Sequence, residues 1–187
     1  MMMWVQVDPQ DDLHQIAEAS IDGDPLQVRM TCDEIEQEMG LDVCLRLIDP
    51  NMGASPGNAR KREVTWQDEF ASAGLCCDLA DDSSVGRKRF DTYLKPDERT
   101  LRPRVEIHER CRDTITQLGR YVWDDYRLHL EKSQKQTPKD KHDDFPSLWK
   151  YLMNSEPQFA FLRMGPQVIH RRDGGQREQS RPWREAV

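Results

Sequence analysis

The stretch Val43-Cys44-Leu45-Arg46-Leu47-Ile48 constrains this chain more than any other. It is almost continuously apolar, the pattern of a strand buried on both faces of a sheet. Such a strand needs layers packed on either side, which points to an α/β architecture. The run ends at Asp49-Pro50. An acid at the carboxyl end of a central strand lies where open α/β sheets bind their ligands. The same two residues also suit an acid that merely starts a turn, and the run by itself does not separate the two readings.

The flanking sequence fits that frame. Met1 to Val7 reads as a strand, with Leu13 to Ser20 as its hairpin partner across a turn at Asp8–Asp12. Three methionines inside an apolar strand suggest a chain that starts partway into a fold. Asp24, Pro25 and Gly40 bracket a helix to Met39 as N-cap, first position and stop. Leu26, Met30, Ile35 and Met39 form its expected apolar side. The loop Asn51 to Arg62 follows the central run. A short helix from Thr65 to Ala73 buries Trp66 and Phe70, and Leu75 to Leu79 is a short strand. Ser84 then caps a helix to Leu94 with Val85, Phe90, Tyr93 and Leu94 apolar. Pro103 to His108 alternates like a strand. Cys111, Ile115, Leu118 and Val122 predict a helix running to about Leu130, before a polar, mobile loop from Glu131 to Lys141. After the opening hairpin, strands alternate with helices, as in a sheet flanked by helices.

The 187 residues suffice for one domain with a core. No stretch is long enough for a membrane span, and no signal segment opens the chain. The five cysteines are Cys32, Cys44, Cys76, Cys77 and Cys111; odd in number and without a C-x-x-C pair, they point to a reducing cytosol. His108 and Cys111 have ligand-like spacing but no partner pair, so core or surface roles are expected. The loop from Gly53 to Lys61 imitates a phosphate loop, but its glycine spacing is one short and no Lys-Ser/Thr follows, which excludes ATP hydrolysis on that motif.

Charge is unevenly spread. Residues 1–50 hold twelve acids against Arg29 and Arg46, whereas Gly86 to Arg104 holds seven basic residues and three acids. Arg87, Lys88, Arg89, Arg102 and Arg104 are thereby candidates for a phosphate backbone. A solvated helix face explains them as well.

A second acidic position lies at Lys139-Asp140-Lys141-His142-Asp143-Asp144, just before Phe145, Leu148, Trp149 and Leu152. That spacing marks a helix with one buried face, to about Asn154. Asp143 and Asp144 therefore stand at its first turn, where the helix dipole favours negative charge. They read either as a cap or as one arm of a carboxylate metal site. Hard cations such as Mg²⁺ or Mn²⁺ take oxygen ligands of this kind. His142 beside them is a possible proton shuttle or a plain surface residue.

Five segments together resemble a known family. RLIDPNMG (Arg46–Gly53), VTWQDEFASAGL (Val64–Leu75), LADDSSVGRKRFDTYL (Leu79–Leu94), PRVEIHERCRDTITQLGRYVWDD (Pro103–Asp125) and DKHDDFPSLWKYLMN (Asp140–Asn154) are similar, in this order, to the C-terminal nuclease domain of the large terminase subunit of tailed bacteriophages. The resemblance implies a ribonuclease-H-like mixed sheet flanked by helices over residues 1–154. Residues 155–187 are then a C-terminal extension, disordered beyond about 170. It also implies an endonuclease that cuts concatemeric viral DNA in the bacterial cytoplasm, through two Mg²⁺ or Mn²⁺ ions held by three acids. The second acid falls on Asp49. The third falls on Asp143, with Asp144 able to assist or substitute.

The chain departs from the family pattern at the first acid, which belongs on a strand ahead of the opening hairpin. Asp8 lies at a turn, and Glu18 on the next strand is the better substitute, though neither matches a mid-strand acid. The ATPase half is absent too; besides double-stranded viral DNA, the resemblance implies the portal, the small terminase subunit and that ATPase domain as partners in the intact protein. Three readings follow: part of an active nuclease, a degenerate prophage remnant without catalysis, or a DNA-binding or interaction module built on residues 86–104.

Overall fold

The chain opens on β1 (Met2–Val7), which turns at Asp8–Asp12 and pairs antiparallel with β2 (Leu13–Ala19). Asp8 shapes the turn by accepting the N–H groups of Gln10 and Asp12 at 2.8 and 2.9 Å, and Asp11 takes the left-handed conformation at φ 61°. The computed structural model describes residues 1–58, 61–120, 123–125, 134–138 and 143–159. Expectations for His142 and for residues 160–187 lie outside the described residues.

α1 (Pro25–Met39) forms as its ends predict. Asp24 and Gln27 exchange a reciprocal capping box, and Gly40 closes the helix at φ 64°, a conformation that glycine adopts without a Cβ clash. The apolar side is turned from the one expected. Val28, Cys32, Ile35 and Met39 pack inward, while Leu26 and Met30 are 59% and 55% exposed.

Of the expected strand Val43–Ile48 only β3 (Leu47–Ile48) pairs, and Cys44 and Leu45 are exposed. The expected loop beyond it is ordered as α2 (Pro50–Gly53) and a hairpin of β4 (Pro56–Asn58) with β5 (Lys61–Thr65). α3 (Trp66–Ser72) starts from a Thr65–Asp68 capping box, and its Trp66 and Phe70 rings lie 6.1 Å apart. β6 (Asp78–Leu79) runs parallel to β3 and is shorter than the predicted Leu75–Leu79. α4 (Val85–Tyr93) buries Phe90, but Ser84 holds the N-cap position without a side-chain bond to the helix, and Val85 and Leu94 are exposed.

β7 (Val105–Ile107) adds parallel to β2, giving the order β1-β2-β7. α5 (Arg112–Arg120) stops well short of Leu130. Beyond it β8 (Trp123–Asp125) pairs antiparallel with β9 (Gln134–Pro138), where a helix end and a loop are predicted. Gly119 is a poor helix residue, and Trp123, where β8 begins, is of a type that favours strand. α5 is also rotated from its expected face. Cys111, Thr114 and Gln117 are buried, and Ile115 is 47% exposed. The polar pair faces inward because each side chain has a partner there, which removes the cost of its burial. The last described element is α6 (Asp144–Asn154).

The architecture is α/β, with two cores. Alternation along β1 sends Met2 and Trp4 into a cluster with Ala17, Cys32, Phe70 and Leu75, under α1 and α3. Met3, Val5 and Val7 face the other cluster, with Leu13, Phe90, Val105, Trp149 and Met153. The Phe90 and Trp149 rings stack at 4.9 Å. Through the second core runs a chain of hydrogen bonds. Trp149 Nε1–H donates to Gln15 Oε1 (3.1 Å), Gln15 Nε2–H to Thr114 Oγ1 (2.7 Å), and Thr114 Oγ1–H to Glu18 Oε2 (2.7 Å). It ties α6, β2 and α5 into one unit.

Candidate functional site

Asp49 sits at the carboxyl end of β3, where the chain turns into α2. Its Oδ1 accepts the Met52 N–H at 2.8 Å, so part of its role is the turn-starting one that its neighbour Pro50 suggests. The other oxygen has a different partner. The Tyr151 hydroxyl of α6 donates to Asp49 Oδ2, joining β3 to a helix about a hundred residues later in sequence. Burial by itself raises the Asp49 pKa, yet the hydrogen bond from Tyr151, the N–H groups of Met52 and Asn51 and the nearby Lys150 charge hold the carboxyl below its ordinary value.

Tyr151 is the hub of this corner. Burial, the hydrogen bond to Asp49, and the charges of Asp49, Asp82 and Asp143 push its phenol well above the ordinary tyrosine value. Three carboxylates therefore bear on one buried hydroxyl. Lys150 is 11% exposed in its side chain, pairs with Asp82 and lies 4.8 Å above the Tyr151 ring. The loop carrying Asp82 is fastened to α6 by Asn154, whose Nδ2 donates to the carbonyls of Asp81 and Ser83 at 2.7 and 2.9 Å. Gly86 allows this approach, since a Cβ there would lie 2.1 Å from the Lys150 carbonyl oxygen.

Asp143 and Asp144 take separate roles. Asp143 occupies the N-cap position of α6, but its side chain makes no bond to the helix, so it is not a conventional cap. Asp144 is exposed and accepts the Gln117 Nε2–H at 3.2 Å, while Gln117 Oε1 accepts the Phe145 N–H at 2.9 Å. Asp144 is thus engaged with α5, and Asp143 acts on Tyr151. The two substitutes for a first acid are occupied elsewhere. Asp8 builds its turn and contacts His14 Nε2 at 3.2 Å. Glu18 caps α5, accepting from the N–H groups of Asp113 and Thr114 (2.7 and 3.0 Å) and from the Thr114 hydroxyl.

Among the described residues no three His, Cys, Asp or Glu side chains gather closely enough to hold a metal ion. Asp49 and Asp143 are oxygen donors of the type that hard cations take. Asp49 carries two neutral donors on a carboxylate that offers about four lone pairs, and Asp143 has no hydrogen bond to its side chain among the described residues. Two carboxylates fall short of the three acids of a two-ion centre. His108 and Cys111 do not form a ligand pair. The Cys111 thiol is buried, which pushes it up to about 11, while His108 Nδ1 accepts the Arg110 N–H at 3.2 Å.

The basic candidates also divide. Arg89 donates to the Met153 carbonyl (3.0 Å) and to Glu156 (2.5 Å). Arg104 donates to Asp12 (2.9 Å) and to the Asp11 carbonyl (3.0 Å) and lies 4.4 Å above the Tyr93 ring. These two fasten α4 and the β1–β2 turn to their surroundings, so they are structural. Arg87, Lys88 and Arg102 have no ion pair among the described residues, and Lys88 and Arg102 are exposed. Sequence reading missed Tyr151, Lys150 and Asp82. The signal lay in spacing, because Lys150 and Tyr151 follow Asp143 and Asp144 respectively by seven residues, about two helical turns, and so lie on the side of α6 that these acids open. Compared with protein-family models, curated proteins and solved structures, the chain has no match.

Proposed function

We propose that this chain is a nuclease domain of the large-terminase type, with a ribonuclease-H-like sheet and a weak Mg²⁺- or Mn²⁺-dependent phosphodiesterase site at Asp49 and Asp143. The observation that carries the reading is the joining of Asp49 to α6 through Tyr151, whose phenol also feels Asp143. Acids from a strand end and a late helix thereby share one corner.

The packing of β1 supports the finer fold. Both of its faces are covered, the pattern of a central strand, yet its only strand neighbour among the described residues is β2. Val43 and Ile48 pack into the same cluster as Trp4, and Glu36 accepts from both Trp4 Nε1 (3.1 Å) and Arg46 (2.5 Å). One more strand between β1 and β3 would unite the two sheets, as a ribonuclease-H-like fold requires.

In this reading Asp49 and Asp143 hold the cation, Tyr151 orients Asp49, and Arg87, Lys88 and Arg102 meet the phosphates of double-stranded DNA. When bound, the cation supplies Lewis-acid stabilisation of charge developing at the phosphodiester. Asp144 is drawn to α5 by Gln117, which leaves Asp143 as the main acid at this helix start, with Asp144 able to assist. Portal and small-subunit contacts belong to an intact packaging protein and are part of the same proposal.

Plasmid nicking tests it. The chain should nick supercoiled DNA slowly with Mn²⁺, and an Asp49→Asn, Asp143→Asn double variant should not. Equal nicking by both removes the carboxylates from the account. No nicking by either favours a fold kept without catalysis.

A further inference from the structure

We propose that the cavity between α4, the β1–β2 turn and the end of α6 binds a phosphate monoester, which displaces the Glu156 side chain from Arg89. The site stands apart from the Asp49 corner and does not depend on the nuclease reading.

The cavity measures about 370 Å³, within the range that takes a small ligand. Asp11, Arg89, Tyr93, Arg104, Met153 and Glu156 line it. Two guanidiniums in one concave wall select a phosphate, whose oxygens accept their forked N–H groups. The bonds that fasten these arginines to the fold leave donors over. Arg104 spends Nε on Asp12 and Nη2 on the Gln10 and Asp11 carbonyls, and its Nη1 group has no partner among the described residues. The Tyr93 ring backs that guanidinium at 4.4 Å. Arg89 gives one N–H to the Met153 carbonyl, which a ligand need not disturb, and another to Glu156.

Glu156 is the weak member of the lining. Its side chain is 65% exposed, and an exposed ion pair of this kind stabilises little. Its backbone is left-handed at φ 50°, a conformation that strains a residue with a Cβ. The other carboxylates are committed. Asp11 Oδ1 accepts the Phe159 N–H at 2.7 Å, and Asp12 holds Arg104. Glu156 therefore fills the Arg89 fork as an internal anion, and a phosphate that reaches both arginines replaces it. A monoester suits the cavity better than a backbone diester, because it carries a second charge and ends a chain. The exposed Lys88 and Arg102, each within two residues of these arginines in sequence, add to the attraction.

Calorimetric titration of the full chain with inorganic phosphate tests the site. Phosphate should bind, and Glu156→Gln, which removes the competing charge, should tighten it by about two- to fivefold, the equivalent of an exposed ion pair. Arg89→Gln should weaken it by at least about tenfold. A gain of binding cannot come from misfolding, so Glu156→Gln decides the matter even if Arg89→Gln fails to fold. Asp91→Asn, on the exposed side of α4, controls for bulk charge and should leave the affinity unchanged. A hairpin DNA duplex ending in a phosphate, compared with one ending in a hydroxyl, identifies the source. Tighter binding of the phosphorylated duplex, by a margin that Glu156→Gln widens, supports a nucleic-acid end as ligand. Equal binding of the two duplexes, with phosphate still bound, supports a free monoester. No phosphate binding, unchanged affinity in Glu156→Gln, or an equal gain in Asp91→Asn overturns the proposal.

Discussion

Replacing Gln15 by leucine isolates the polar chain that sets α6 in place. Gln15 and Trp149 are both 0% exposed, and the indole N–H has the amide oxygen of Gln15 as its acceptor. Leucine has similar bulk, so the main change is an indole donor stranded in the core. Thr114 still donates to Glu18 and is little disturbed. A stranded buried donor costs about 1–3 kcal/mol. With a urea m-value of roughly 1–3 kcal/mol/M, the midpoint should fall by about 1 M. Trp149→Phe strands the opposite partner, the Gln15 oxygen, and adds a loss of ring volume. The double variant strands neither. It should therefore be more stable than the sum of the single losses by about 1–3 kcal/mol, inside the usual range for coupled neighbours. Urea unfolding followed by far-ultraviolet circular dichroism measures this without relying on the altered tryptophan. Additivity within about 0.5 kcal/mol would refute the claim that the bond carries the coupling.

Other substitutions probe the remaining assignments. Gly86→Ala would improve helix propensity in isolation by about 1 kcal/mol, but here its Cβ meets the Lys150 carbonyl oxygen at 2.1 Å. The net effect in a urea melt should be a loss of about 1–3 kcal/mol, from forcing α4 off α6. Glu18→Gln should cost about 1 kcal/mol in stability through the weakened α5 cap and leave Mn²⁺ affinity unchanged, because Glu18 is spent on that helix. Neutralising Arg87, Lys88 and Arg102 to glutamine should lower DNA affinity and flatten its salt dependence without changing the melt. Arg89→Gln and Arg104→Gln should instead lower the melting temperature, and an unchanged melt would return those two to the DNA-contact set.

Local signals were legible where the chain makes its own partners. The β1–β2 hairpin, the Asp24 and Thr65 caps, the Gly40 stop and the buried Phe145–Trp149 stripe all rest on residues within a few positions of each other. The readings that fail depend on distant partners. Thr114 and Gln117 look solvent-facing until Gln15, Glu18 and Phe145 are brought to them, which is why α5 turns the other way. Val43 to Arg46 has the composition of a buried strand, but apolar content does not supply a strand to pair with, and only Leu47 and Ile48 find one. At the site, Asp49 and Asp143 stand out as acids at element ends. Tyr151 does not, because an aromatic inside an apolar stripe reads as core, and its hydroxyl becomes informative only once Asp49 lies opposite.

The neighbouring acids at the start of α6 show how much depends on that helix's rotation. Rotation about the axis is fixed from one side by Gln15 on Trp149 and by Gln117 on the Phe145 N–H. Gln117 also draws Asp144 toward α5. With those bonds made, the side of α6 that carries Lys150 and Tyr151 faces Asp82 and Asp49. Adjacent residues on a helix stand about 100° apart, so a turn of one position would exchange Asp143 and Asp144 and take Tyr151 off Asp49. The uncharged polar residues in the core therefore fix the rotation that brings Tyr151 to Asp49. A nuclease centre here would depend on Gln15 and Gln117 without either of them touching a cation.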